Sequence, residues 1–318
     1  MQRPSMKMTW LAGCCLFLVS VLCYGADWGV VTILDGNARV LRGANWYKLV
    51  EGARLLDGDV VDAADQAQVQ IEMPAGSTVN VAGAAELYAA FAGSHEGKQS
   101  APTEVYLTHG WLKLAAKQGG VALRVRSPAG TIATANGVAV MHATPEALET
   151  FVERGTVRMV EPGKGAGEGT VHDLKGGDFA IRASDRPFAT ADAAPQPFVA
   201  AMPRYFRDPL PSRAQLYQVS RVQLVADRSI SYAEAEPWLN GPYRRVFIKR
   251  LQARLADPEF RTPVMAKLQA YPEWQGVLVS QVTAPKSETP ANPSDKPPDK
   301  PPDKAELKWP WPFGSTKK

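Results

Sequence analysis

The sequence predicts a mainly β protein, on three observations. From Trp28 to about Arg182, short segments alternate apolar and polar residues, which is the two-residue period of a half-buried strand. Glycine-containing turns such as Asp35-Gly36 and Asp57-Gly58 separate these segments at short intervals. The same region has no long helical period. We therefore predict stacked short strands, arranged either as a sandwich or as a solenoid-like series of hairpins.

The individual strands follow from the same alternation. They are predicted at Val30–Ile33, Ala38–Leu41, Val69–Ile71, Thr78–Val81, Leu112–Leu114, Leu123–Val125, Thr150–Val152 and Thr156–Met159. The alanine-rich segment Ala82–Phe91 fits either a strand or a short helix. Further turns are predicted at Asn136-Gly137 and Arg154-Gly155, because glycine adopts a positive φ at no steric cost.

The amino terminus predicts export. Arg3 and Lys7 precede a mostly apolar stretch that reaches Leu22, and small residues follow at Gly25 and Ala26. This is the layout of a secretory signal peptide, which we assign to residues 1–25. The apolar run falls short of the roughly 20 residues that span a bilayer, so cleavage is favoured over an uncleaved membrane anchor. The predicted location is periplasmic or extracellular.

The rest of the chain divides by composition into four predicted regions. Residues 26–186 form the β domain, and residues 187–203, rich in proline and alanine, form a stiff linker. Residues 204–280 form a small helical module. Residues 281–318 form a disordered tail rich in proline and lysine, whose repeat Lys-Pro-Pro-Asp favours extended polyproline II structure.

The helical module is basic. Residues 26–203 contain 15 Lys and Arg against 20 Asp and Glu, whereas residues 204–254 contain 10 against 4. Such asymmetry predicts an anionic partner for this region, either an acidic envelope protein or an anionic cell-wall or membrane component. Nucleic acid is not expected as a partner of an exported protein.

Two groups of residues are predicted to contact partners. A helical apolar stripe runs from Pro242 to Ala256, and Asp257-Pro258 and Thr262-Pro263 predict the starts of two further short helices. At the far end of the chain, three aromatic residues predict a docking peptide or a membrane-interface anchor, the alternative being an inert disordered end. The candidate contact residues are Arg244, Arg245, Lys249, Arg254, Trp309, Trp311 and Phe313.

No motif predicts catalysis or a cofactor. Cys14, Cys15 and Cys23 are the chain's three cysteines and lie in the predicted leader, so a cleaved product has no thiolate metal site and no cysteine nucleophile. The four histidines are scattered without zinc-helix spacing, and the sequence contains no Gly-x-Ser-x-Gly elbow. We therefore predict a protein that is not an enzyme and that requires neither a metal nor a cofactor.

The β region resembles the FecR family, named for the periplasmic part of ferric-citrate regulators. The resemblance begins with Leu49-x-x-Gly52-x-x-Leu55-x-x-Gly58-Asp59. The further motifs, in family order, are Leu107-x-x-Gly110-x-Leu112, Ser127-Pro128-x-Gly130-x-Ile132, Val152-Glu153-x-Gly155-x-Val157 and Leu174-x-x-Gly177, within a match from Trp28 to Ile181. The resemblance implies a β-rich extracytoplasmic domain that binds protein partners or envelope polymers. The cytoplasmic sigma-regulating segment of such regulators is expected to be absent, because about ten residues precede the apolar run.

Three functional hypotheses follow. The first is a non-catalytic binding or scaffold module of the cell envelope, in which the β domain is the platform and the basic helices and the aromatic tail are the contact surfaces. The second is a sensor subunit of an envelope signalling system. The third is a cell-wall-active enzyme with an unrecognised site.

Overall fold

The structure, a computed structural model, describes residues 27–74, 76–90, 103–161, 169–183, 186–208, 211–219 and 222–283. The strands are β1 (Asp27–Asp35), β2 (Ala38–Arg42), β3 (Asn45–Lys48), β4 (Arg54–Leu56), β5 (Val60–Ala63), β6 (Gln68–Glu72), β7 (Thr78–Ala90), β8 (Thr103–Ala116), β9 (Leu123–Ser127), β10 (Gly130–Ala143), β11 (Ala147–Val160), β12 (Val171–Lys175), β13 (Phe179–Ala183), β14 (Ala189–Ala191) and β15 (Ala226–Ser229). The helices are α1 (Gln196–Ala201), α2 (Arg204–Arg207), α3 (Tyr232–Asn240), α4 (Arg244–Leu251), α5 (Pro258–Ala266) and α6 (Pro272–Thr283), with 3₁₀ turns at Ala214–Tyr217, Gln252–Ala256 and Leu268–Ala270. The predicted order, a mainly β region followed by short helices, is confirmed.

The described strands form one continuous sheet that folds on itself into two halves. The beginning of β7 pairs with β6 and its end pairs with β5, while β10 pairs first with β9 and then with β8. Strands that change partners at a bend form the corners of a sandwich. Here the first half contains β6 and β13 and the second half contains β5 and β9. Val81 and Leu87, from either side of the bend in β7, belong to the same buried cluster.

Glycines stand at the bends of the long strands. The predicted turns at Asn136-Gly137 and Arg154-Gly155 are wrong, because these residues lie inside β10 and β11, where Gly137 pairs with Gly155. Gly155 has a φ of +78°, and a Cβ there would lie 2.2 Å from the carbonyl oxygen of Asn136. The glycines that predicted turns lie instead beside β-bulges, which require the same positive φ that glycine tolerates.

The first resemblance motif supplies core residues around a glycine turn. Leu49 and Leu55 are fully buried in the main cluster, and Gly52 between them has a φ of +82°. The segment Ala82–Phe91, left open between strand and helix, is strand through Ala90, with Leu87 facing the core. Phe91 lies outside the described residues.

The outer face of the first half is covered by α1 and α2. Phe198, Met202 and Phe206 pack against Trp111 and Phe179 in a separate buried cluster. The segment predicted as a linker, residues 187–203, thus contains β14 and α1.

The chain after α2 continues across the polar part of the same face. Glu72 accepts a hydrogen bond from the Ser212 hydroxyl and another from the Arg213 backbone N–H at 2.7 Å. The Gln70 amide donates to the Pro211 carbonyl at 3.1 Å. These contacts satisfy buried polar side chains of β6 that alternation places away from the core.

The outer face of the second half is covered by α3 and α4, and α3 begins with a capping box. The Ser231 side chain accepts from the Glu234 backbone N–H, and the Glu234 carboxylate accepts from the Ser231 N–H at 3.0 Å. Arg228 also donates two hydrogen bonds of 2.7 Å to Glu234. The Arg228 guanidinium is the main cause that holds the pKa of Glu234 well below its usual value.

Replacing Ser231 with alanine is expected to lower the free energy of unfolding by about 1 kcal/mol, because the first turn of α3 loses its side-chain cap. Urea denaturation monitored by circular dichroism measures this. Thr262→Ala is the control and is expected to cost less than about 0.5 kcal/mol, because the Thr262 hydroxyl donates back to the Pro258 carbonyl inside α5 and caps nothing. Equal losses for the two variants would contradict the capping role.

The helices after α3 agree with the sequence in part. The stripe from Pro242 to Ala256 forms α4 followed by a 3₁₀ turn, and the Asp257 side chain caps α5 by accepting from the Glu259 N–H. The second predicted start, at Thr262-Pro263, is wrong, since Pro263 lies inside α5.

The chain divides into two compact units after Lys267. In the second unit, α6 follows a 3₁₀ turn, and the rings of Tyr271 and Trp274 lie 5.4 Å apart. The predicted domain boundaries at residues 186, 203 and 280 stay predictions. Among the helices of the described chain, none has both the length and the hydrophobicity to span a bilayer.

Candidate functional site

The predicted basic contact residues separate into two pairs. Arg254 donates to the Ile230 carbonyl at 3.3 Å and to Asp257 at 2.7 Å, and Arg244 donates to the Leu239 carbonyl at 3.3 Å. These two arginines hold neighbouring elements together.

Arg245 and Lys249 are exposed on the other side of α4, beside Val246, whose exposed fraction is 44%. We call these three residues the outer face of α4. The predicted tail residues Trp309, Trp311 and Phe313 lie outside the described residues.

The inner side of α4 and the end of α3 meet the second half of the sheet through aromatic rings. Tyr88 of β7 lies 4.8 Å from Tyr243 and 5.4 Å from Phe247 between ring centroids. Tyr106 of β8 lies 6.3 Å from Trp238, which stacks on Phe247 at 4.7 Å. Aromatic pairs at these distances add to the free energy of burial, so the helices are an integral part of this face.

Glu86 stands at the edge of this aromatic cluster. It faces outward from β7 because alternation places its neighbour Leu87 in the core. The Trp238 indole N–H donates to one carboxylate oxygen at 3.2 Å, and the Thr108 hydroxyl lies 3.2 Å from the other. Both partners are neutral groups.

Burial raises the pKa of the Glu86 carboxyl to about 7, and the negative charge of Asp62 adds to the increase. The hydrogen bonds from Trp238 and Thr108 and the charge of Arg39 oppose it and are smaller. A carboxyl group with a pKa shifted this far, beside a cleft, is a candidate for function.

A cavity of about 290 Å³ opens beside Glu86. It is lined by Glu86, Tyr106, His109 and Trp238 together with prolines from three separate segments, and we call it the Glu86 pocket. The prolines include Pro128, Pro145, Pro237 and Pro242. The pocket combines one carboxylate with mostly apolar and aromatic walls, which is the usual make-up of a small-molecule site.

Larger clefts lie elsewhere on the first compact unit, and two of them stand out by volume. One, of about 990 Å³, has an apolar floor that includes Leu34 and Leu49 and charged residues that include Lys48 and Asp227. The other, of about 730 Å³, follows the bend of β7 and β8.

The cleft at the bend contains an ordered histidine. His142 stacks on Trp111 with ring centroids 4.3 Å apart, and its Nδ1 lies 3.0 Å from Glu149. Ala84, which lines the same cleft, has a φ of +34°, a backbone conformation that side chains disfavour. Within the described residues, no three histidine, cysteine, aspartate or glutamate side chains converge as metal ligands would.

Sequence reasoning missed Glu86, Tyr106 and Trp238. Glu86 lies in the segment that fitted either a strand or a helix, so its facing direction was undefined. Trp238 is separated from Glu86 by 152 residues, and local periodicity carries no information on such a contact. The one signal in the sequence was a charged residue, Glu86, between the apolar residues Ala85 and Leu87, both of which are buried in the structure.

Comparison with known proteins supports the resemblance found in the sequence. A family model described as FecR protein matches residues 59–158. No curated protein matches the chain.

The solved structures similar to this chain include two crystal structures of a candidate anti-sigma factor from Parabacteroides distasonis. Each is 14% identical and covers 44% of this chain, with TM-scores of 0.36 and 0.35. The matched parts cover 62% and 63% of those chains, so this chain spans less than two thirds of their length.

Proposed function

We propose that the protein is an exported envelope protein with a signalling-related role, because a family model described as FecR protein matches residues 59–158. In this proposal it is a non-catalytic binding or scaffold module. The FecR match is the observation that carries the proposal, since the family resemblance implies an extracytoplasmic domain that binds protein partners or envelope polymers.

The arrangement of the helices supports a binding role. Aromatic contacts hold α3 and α4 on the sheet, so the outer face of α4 is displayed on a rigid platform. Arg245 and Lys249 are exposed there and carry two positive charges. Exposed cations on a rigid element suit an anionic partner, either an acidic envelope protein or an anionic wall or membrane component. The tail with Trp309, Trp311 and Phe313 is proposed as a second contact.

A sensor subunit of an envelope signalling system is the second candidate. The association of the FecR family with signalling favours it, and it requires a separate membrane partner to receive the signal. A cell-wall-active enzyme is a third candidate, which loss of wall-fragment turnover on replacing a single acid would support.

Charge reversal on α4 tests the binding role. Crosslinked pull-down of the Arg245→Glu/Lys249→Glu variant is expected to recover the partner about tenfold less, because like charges then face an anionic surface. Lys117→Glu/Lys175→Glu is the control, since it changes the net charge equally at exposed positions away from α4, one just after β8 and one in β12. Equal recovery by both variants would remove α4 from the proposal.

A parallel deletion of residues 286–318 measures the contribution of the tail. Loss of the partner in this variant supports docking by the aromatic residues, and unchanged recovery excludes it. Recovery of a sigma-regulator partner would favour the sensor subunit. Mass determination of the mature amino terminus distinguishes a released protein from an anchored one.

A further inference from the structure

In the part of the chain that the structure describes, the Glu86 carboxylate has no positively charged hydrogen-bond or ion-pair partner. Its two hydrogen-bond donors, the Trp238 indole and the Thr108 hydroxyl, are neutral, and among the described residues no lysine, arginine or histidine nitrogen forms an ion pair with it. A carboxylate that loses much of its hydration is normally paired with a cation, because desolvation of the charge is costly. Glu86 is half-buried, and the protein supplies two neutral hydrogen-bond donors and only a weak opposing effect from the charge of Arg39.

The charged residues around Glu86 do not supply the missing cationic partner. Asp62 of β5 adds a second negative charge nearby. Arg39 of β2 is occupied by Asp62 at 2.7 Å and by Glu234 at 3.1 Å. His109 of β8 is exposed, and its Nδ1 lies 2.9 Å from the Thr108 hydroxyl. Arg39, the cation that acts on Glu86, is therefore already engaged with two other carboxylates.

The walls of the pocket suit the same kind of ligand. Tyr106 and Trp238 both line it, with exposed fractions of 7% and 2%. Trp238 directs its N–H edge at Glu86 and stacks on Phe247 at 4.7 Å, so its other face and the ring of Tyr106 supply the aromatic part of the wall. Aromatic rings attract cations through their negative faces, and desolvation strengthens the attraction. A volume of about 290 Å³ admits an alkylammonium group.

We infer that the Glu86 pocket binds an ammonium group, with the carboxylate as its counter-ion and Tyr106 and Trp238 as its aromatic walls. The ammonium group belongs either to a free alkylamine or to a lysine side chain of a peptide. This inference is independent of the proposed partner of α4, since it concerns a different set of residues.

The pH dependence of binding follows from the ionisation of Glu86. The ligand requires the ionised carboxylate, whose population rises as the pH passes through about 7. The apparent dissociation constant is inversely proportional to the fraction of the protein in the competent, ionised form, so binding at pH 8 is expected to be at least about tenfold tighter than at pH 5.5. Binding of the cation in turn lowers the pKa of Glu86.

The test uses the full chain, labelled with ¹⁵N, and the indole N–H resonance of Trp238 as a local reporter. Two probes, n-butylammonium and Nα-acetyl-lysine N-methylamide, are titrated at pH 5.5 and pH 8, with n-butanol as the neutral probe. Both cations are expected to shift this resonance at pH 8, whereas n-butanol has no comparable effect. Binding of the lysine derivative alone would identify a peptide as the source of the ammonium group, and equal binding of both cations would favour a free amine.

Two variants make the result specific. Glu86→Gln keeps an oxygen acceptor for the Trp238 indole and is expected to weaken cation binding at least about tenfold at pH 8. Glu259→Gln, at an exposed position in the first turn of α5, is the control and is expected to bind as the unchanged protein does. If Glu86→Gln does not fold, Tyr106→Leu tests the aromatic wall, with selective loss of the cations expected. Unchanged binding in these variants, equal binding at both pH values, or no shift with either cation would overturn the inference.

Discussion

Replacing Gly110 with alanine is expected to lower the free energy of unfolding by about 3 kcal/mol or more. Gly110 lies at the bend of β8, with a φ of +96°. An alanine Cβ there would lie 2.4 Å from the Cβ and 2.5 Å from the Cα of Ala85 in the neighbouring strand. The variant therefore combines a strained backbone with a steric clash that only movement of β7 relieves.

Gly119→Ala is the matched control for this effect. Gly119 also has a positive φ, of +77°, but among the described residues no atom beyond its two chain neighbours lies within 4 Å of the position of an added Cβ. It is expected to cost only about 1 kcal/mol, which is the backbone contribution alone. Urea denaturation of both variants, followed by circular dichroism, measures the difference. Similar losses would show that the sheet tolerates a side chain at the bend.

Replacing Glu86 with glutamine is expected to stabilise the protein at neutral and alkaline pH. Folding raises the pKa of this carboxyl from 4.5 to about 7, because burial disfavours the ionised form. Each pKa unit corresponds to about 1.4 kcal/mol. The cost of ionised Glu86 is therefore on the order of 3 kcal/mol, and glutamine, which cannot ionise, avoids it.

The direction of the pH dependence follows from which state binds the proton more tightly. Since the folded state has the higher pKa, the group contributes its full stability below pH 4.5 and loses it as the pH rises to about 7. The free energy of unfolding of the unchanged protein should thus fall over this range relative to Glu86→Gln. The gap between the two should reach about 1–3 kcal/mol at pH 8.

Urea denaturation at pH 5, 6, 7 and 8 measures this gap. Glu259→Gln, which removes an exposed carboxylate, is the control and is expected to change the free energy of unfolding by less than about 0.5 kcal/mol. A gap for Glu86→Gln that does not change between pH 5 and pH 8 would mean that Glu86 ionises at its ordinary pH in the folded protein.

The strands were predictable because alternation is a local property. Segments such as Val69–Ile71 and Leu112–Leu114 lie in β6 and β8, with their apolar residues in the core. The length of the strands was not predictable. Arg154-Gly155 was read as a turn because glycine with positive φ serves turns and bulges alike, and only the pairing with β10 distinguishes the two.

The candidate site was harder to predict from the sequence than the fold. The basic residues of α4 were identified from helical spacing, but spacing did not show that Arg244 and Arg254 are used for contacts within the chain. Glu86 and Trp238 come from a strand and a helix that are distant in sequence. No local pattern marks a carboxylate whose environment is created by another element.

The sequence by itself determined the mainly β class, the order of sheet and helices and the resemblance to FecR, since each of these follows from periodicity and from glycines at set intervals. The tertiary structure alone decided which side chains contact each other and which charged groups are desolvated by burial. Folding of the sheet into two halves, with α3 packed on the second, places Glu86 beside Trp238 and Tyr106. The cost of an uncompensated charge depends on burial, and burial is a property of the assembled fold.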